Sequence, residues 1–140
     1  MLFPNKVKHR KWHRKRWNKE KLANATASRG TEVSYGTYGC KATTPGRVNS
    51  NQIEATRRVI RRTIGKFGKL YIRIFPDRPY TEKGGEMPMG KGKGEVQGYQ
   101  FEVLPGRILF EVDNVTEDVA REAFRKANAK LPVKVKLVQR

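Results

Sequence analysis

A chain of 140 residues suffices for one domain, and folding at that size buries only about two-thirds of the surface exposed when unfolded. Its 31 Lys/Arg against 13 Asp/Glu leave a formal net charge of +18, and the excess is local: residues 1–94 hold 23 Lys/Arg and 6 Asp/Glu, residues 95–140 hold 8 and 7. The single cysteine, Cys40, excludes an internal disulfide, no clustered Cys or His offers a metal framework, and no apolar run approaches the roughly 20 residues that cross a bilayer. The expectation is a soluble intracellular protein of a reducing compartment, without metal or cofactor, facing a polyanion whose condensed counterions are released on binding.

Lys6–Lys21 carries nine Lys/Arg, one Glu, two His and two Trp, a composition unable to bury enough apolar surface to fold alone. It reads as an extended arm, or a helix ordered by its ligand, continued by a small-residue linker from Asn24 to Arg29. Arginine content would also fit a mitochondrial presequence, but Trp12, Trp17 and the lysine excess favour a retained RNA-binding arm. The organisation expected is thus an arm and linker over 1–29 and one domain over 30–140.

Glu32–Thr37, leading into Tyr38 and Gly39, alternates like a short strand, and Thr43–Gly46 reads as a turn. A helix follows, opened by a capping box of Asn49 with Gln52 or of Asn51 with Glu54. At about 100° per residue, Ile53, Thr56, Ile60, Ile64 and Phe67 share one face, and Gly68 supplies the stop. Arg57, Arg58, Arg61 and Arg62 form two i,i+4 rows on another side; read as unpaired, they repel one another and suit a phosphate chain.

Lys69–Phe75 alternates as a strand packed on that helix. Prolines and glycines then mark residues 76–97 as a long loop crossed by no regular element. Gly98–Leu104 and Arg107–Val112 flank Pro105–Gly106, a type II turn pair, and predict a hairpin. A second helix opens at Thr116 and buries Val119, Ala120, Ala123, Phe124, Ala127 and Leu131; Val133–Val138 is the last strand. The fold class is α+β, a predominantly antiparallel sheet covered by two helices, with the basic arm and a long Gly/Lys-rich loop.

Within the loop, Gly85 to Lys91 matches the start of a phosphate-loop pattern, but Gly92 stands where a Ser or Thr must hold magnesium and Pro88 removes an amide. A flexible basic finger is the better reading, with Lys91 and Lys93 neutralising phosphates between glycines. His9 and His13, four apart, lack further ligands, so a polar RNA contact is favoured over a metal. Trp12 and Trp17 either stack on splayed bases or anchor the arm to the protein's own sheet. The RNA-facing candidates are therefore Lys6, Lys8, His9, Arg10, Lys11, Trp12, His13, Arg14, Arg16, Arg57, Arg58, Arg61, Arg62, Arg73, Lys83, Lys91 and Lys93.

Three strings carry a resemblance: Gln52–Arg62 (QIEATRRVIRR), Phe75–Val96 (FPDRPYTEKGGEMPMGKGKGEV) and Glu117–Lys134 (EDVAREAFRKANAKLPVK). In order and over nearly the whole chain, the sequence resembles the ribosomal protein L sixteen family of the bacterial-type large subunit. The resemblance implies a structural component that binds large-subunit rRNA beside neighbouring ribosomal proteins, its glycine-lysine loop reaching toward A-site tRNA and the peptidyl-transferase region. It favours Arg57, Arg58, Arg61 and Arg62 as the rRNA-facing helix side and Lys91 and Lys93 as loop contacts. Pro88 departs from the Arg that many members carry before the Met-Gly-Lys tract. A free DNA- or RNA-binding regulator is the alternative, although the exposed helix side offers mainly arginines, which position a protein without specifying sequence. Catalysis is not expected, since no acid, base and nucleophile converge.

Overall fold

The computed structural model describes residues 1–13 and 24–140. Arg14, Arg16 and Trp17 lie outside the described residues, as does the arm conformation expected beyond His13. In chain order the described elements are β1 (Tyr38–Ala42), β2 (Gly46–Asn49), α1 (Ser50–Ile64), β3 (Lys69–Ile72), β4 (Arg78–Glu82), β5 (Glu95–Val103), β6 (Ile108–Asp113), α2 (Glu117–Asn128) and β7 (Val135–Gln139). All pairings are antiparallel, in one sheet ordered β3-β6-β1-β7 and another ordered β2-β5-β4. The α+β class holds, with the sheet divided in two.

The helices pack on each other, α1 against β2, β3 and β5 and α2 against β1 and β7. Ile53, Thr56, Ile60 and Ile64 of α1 meet Ala120, Ala123, Phe124 and Ala127 of α2 over Cys40, Phe110 and Val112, all buried. Of the two possible capping boxes the chain uses Asn49 with Gln52: the Asn49 N–H donates to Gln52 Oε1 at 2.9 Å. Burial pushes the Cys40 thiol far above its ordinary pKa, so it is inert packing material.

Four sequence expectations need correction. The first helix ends at Ile64, not near Gly68, because Gly65 takes φ 70°; that break throws Phe67 off the core stripe and leaves it 90% exposed. A strand does cross the proline-marked region: β4 tolerates Pro79 because it is an edge strand, where a missing N–H breaks no ladder on its open side. The loop is thereby reduced to Lys83–Gly94, the tip between β4 and β5. Pro105–Gly106 does make the turn, with Gly106 at φ +94° and the Arg107 N–H donating to Leu104 O at 3.2 Å, yet it joins no hairpin. Its two strands enter different sheets, since β5 pairs with β2 and β4 while β6 pairs with β1 and β3.

The fourth correction concerns Glu32–Thr37, which is not a strand. β6 is the most buried strand, and Glu111 in its middle is 0% exposed. The segment before β1 lies over this carboxylate: the N–H groups of Ser34, Tyr35 and Gly36 donate to it at 3.2, 2.6 and 2.8 Å. Arg73 completes the site with an ion pair. A segment whose amides serve a side chain cannot also offer them to a ladder. Burial works to raise the Glu111 pKa, but the three amides and the Arg73 guanidinium outweigh it and hold the carboxyl below its ordinary range.

Two outcomes follow for stability. Ile60→Ala removes fully buried volume and should cost about 2–5 kcal/mol in chemical denaturation, whereas Phe67→Ala should be near neutral. Because the folded pKa of Glu111 is depressed, its contribution is complete above the unfolded carboxylate range and is lost as pH falls through the folded value. Glu111→Gln should lower stability at pH 7 by on the order of 3–5 kcal/mol and flatten the acid limb of melting temperature against pH. An unchanged acid limb in that variant would remove Glu111 as its source.

Candidate nucleic-acid interface

The arm does not stand clear of the domain. Residues 10–13 run across the β4–β5 hairpin, on the sheet face that carries Arg47, Arg78, Tyr80, Gln100 and Glu102. Trp12 lies with the Arg78 guanidinium 5.5 Å from its ring centroid, the anchored arrangement rather than a free stacking one. Arg78 Nη2 also donates to His13 O at 2.7 Å, and Nη1 pairs with Glu102 at 3.4 Å. Below them is a pocket of about 370 Å³ lined by Trp12, Arg47, Arg78, Tyr80, Lys93 and Gln100 among others.

Loop and arm are fastened to each other. Glu95, at the start of β5, accepts from Arg10 at 2.6 Å and from Lys11 at 3.3 Å. Lys11 Nζ donates to Lys93 O at 3.2 Å, and Lys93 Nζ donates to Trp12 O. Beyond this clasp the tip is open: Lys91, at φ 51° between Gly90 and Gly92 at φ +101° and +97°, is exposed, as are Met87 and Met89. Lys83 Nζ bonds Gly90 O across the loop, which sets the tip's width.

On α1 the arginine rows are less bare than the sequence suggested. Glu54, one turn before them, accepts two bonds from Arg57, both at 2.8 Å, and one from Arg58 at 2.9 Å. These bonds, Arg57 first and Arg58 next, hold the Glu54 carboxyl at about 2. Two of the four arginines read from sequence as unpaired, Arg57 and Arg58, thus share an acid on their own helix. Arg61 turns to the helix end, donating to Gly68 O and, at 3.5 Å, to Lys66 O. Arg62 is exposed and carries no ion pair among the described residues.

Arg73 sits inward, its side chain 18% exposed, bound to Glu111 and 4.9 Å from the Tyr35 ring centroid; its charge is spent within the fold. Lys6, Lys8, His9 and His13 are exposed along the arm. Sequence reasoning missed Arg47 and Arg78, which form the arm's seat. Arg78 was hidden between two prolines in what read as a loop, and only recognition of β4 would have exposed its alternation with Tyr80.

The sequence that builds this arm, helix side and glycine-lysine loop is similar to known proteins over nearly its whole length. A profile of the ribosomal protein L16p/L10e family covers residues 4–138. The chain belongs to that family. Within it, the chain is 51% identical to large ribosomal subunit protein uL16 of Halorhodospira halophila over 140 residues, all of this chain and 98% of the relative. The corresponding protein of Alkalilimnicola ehrlichii is 49% identical with the same coverage. For this L16p/L10e member the clasp at Glu95 is open to a direct check. Glu95→Gln should speed proteolytic removal of the arm before Trp12 while shifting the melting temperature little, since exposed ion pairs contribute about 0–1 kcal/mol. Unchanged cleavage kinetics would mean that the pairs do not hold the arm.

Proposed function

We propose that the chain is a structural, non-catalytic component of the large ribosomal subunit that binds rRNA and helps position tRNA near the A site. The observation that carries the reading is the family match over 4–138, with relatives of full-length similarity that bear the name of a large-subunit protein. In this reading residues 1–29 act as the arm and 30–140 as the body. Exposed cations on the arm (Lys6, Lys8), on α1 (Arg58, Arg62) and at the loop tip (Lys91) meet phosphates, and neighbouring ribosomal proteins complete the surroundings. The finer part, contact of the tip with tRNA, is supported by the exposure of Lys91 and by the resemblance of the Gly90–Gly94 tract.

A free regulator would remain light on sedimentation, whereas tagged protein should travel with the large subunit at moderate salt. Lys91→Ala, which leaves the bond from Lys93 Nζ to Trp12 O in place, should leave subunit incorporation near normal and should reduce A-site tRNA binding in reconstituted subunits. If incorporation, tRNA binding and peptide-bond formation all matched the parent, the tip would be a solvated turn without that role.

A further inference from the structure

We propose that Phe67 is a stacking platform for an unpaired base of the RNA held by the arginine side of α1, an inference that rests on the RNA-binding reading above. Phe67 is 90% exposed, while Ile53, Ile60 and Ile64 of the preceding helix are buried. Its outward position is built in. Arg61 donates to the carbonyls of Lys66 and Gly68, so one guanidinium spans the turn from the peptide before Phe67 to the one that follows Gly68. Gly68 is itself buried, and a Cβ there would stand 2.8 Å from Ile64 Cβ, so the chain after Phe67 is wedged against the core. The turn presents the ring from a fixed base.

Its surroundings select the partner. Arg62, Lys66 and Lys69 are exposed and lie within five residues of Phe67 in sequence. Glu54 is taken up by Arg57 and Arg58, and Asp113, opposite Lys69 in the β3–β6 register, accepts from Thr37 Oγ1 at 2.6 Å. An apolar socket on a protein would meet this ring amid lysines, which the cores of protein interfaces tend to exclude. Single-stranded RNA offers both halves of the complement: phosphates for the cations and a π-face for the phenyl ring.

The test uses the full chain, a transcript of large-subunit rRNA, and binding titrations over a range of salt. Stacking adds affinity without releasing counterions. Phe67→Ala should therefore weaken binding by about 5- to 100-fold at every salt concentration and leave the log–log salt slope unchanged. Arg62→Ala should reduce that slope instead. Phe67→Tyr should bind like the parent, and Phe67→Leu, apolar but without a π-face, should behave like Phe67→Ala. Thermal melting checks that each variant is folded. Parental affinity for Phe67→Ala, with the steep slope intact, would overturn the stacking inference and leave RNA binding standing. Parental affinity for Phe67→Leu would also overturn it, in favour of apolar docking. A flat slope in the parent would instead sink the RNA-binding reading.

Discussion

A carboxylate buried in the central strand organises this fold. Glu111 cannot stay ionised in β6 without donors, and it obtains them from a segment some 75 residues earlier in the chain and from Arg73 beyond β3. Satisfying it binds residues 32–36 across the outer face of the four-stranded sheet. The same face gathers Tyr71, stacked on Tyr35 at 5.7 Å. Next to it Arg107 reaches Arg29 O at 2.7 Å and Arg73 O at 3.3 Å; burial and then repulsion from Arg73 press its pKa downward. One charge in the interior thus secures the passage from arm to body.

Local periodicity was legible where the element satisfied itself. The buried face of α2 was readable residue by residue, because Ala120, Ala123, Phe124 and Ala127 recur at helical spacing within twelve residues. Pairing was not. Pro105–Gly106 announces a change of direction, but a turn cannot say which ladder each flanking strand joins, and here the two strands separate into different sheets. Likewise nothing in VSYG reveals that its amides answer a glutamate on β6; that contact exists only after long-range closure. Phe67 falls off the stripe because helical periodicity does not carry two residues past Gly65, the glycine that ends it.

The charged residues divide in a way that composition alone does not show. Arg73, Arg78 and Arg107 lie largely inside, and Arg10, Lys11, Arg57 and Arg58 are paired with Glu95 or Glu54. At rest the cations open to an anion are thus fewer than the 31 Lys/Arg of the chain. The intramolecular pairs also have a directional effect, since exposed pairs of this kind are screened and exchange readily for phosphate. The arm's seat on β4–β5 therefore defines where it starts from when RNA arrives.

The burial of Cys40 has a use outside translation. It lies in β1, flanked by Phe110 on one neighbouring strand and Leu137 on the other, and it is the chain's sole thiol. A reagent can reach that sulfur only when β1 parts from the sheet or the helices lift from it, because the thiol is fully enclosed. The rate of alkylation in native buffer therefore clocks the opening of the most protected layer of the protein. Fraying of the arm or the loop tip would leave that clock unmoved.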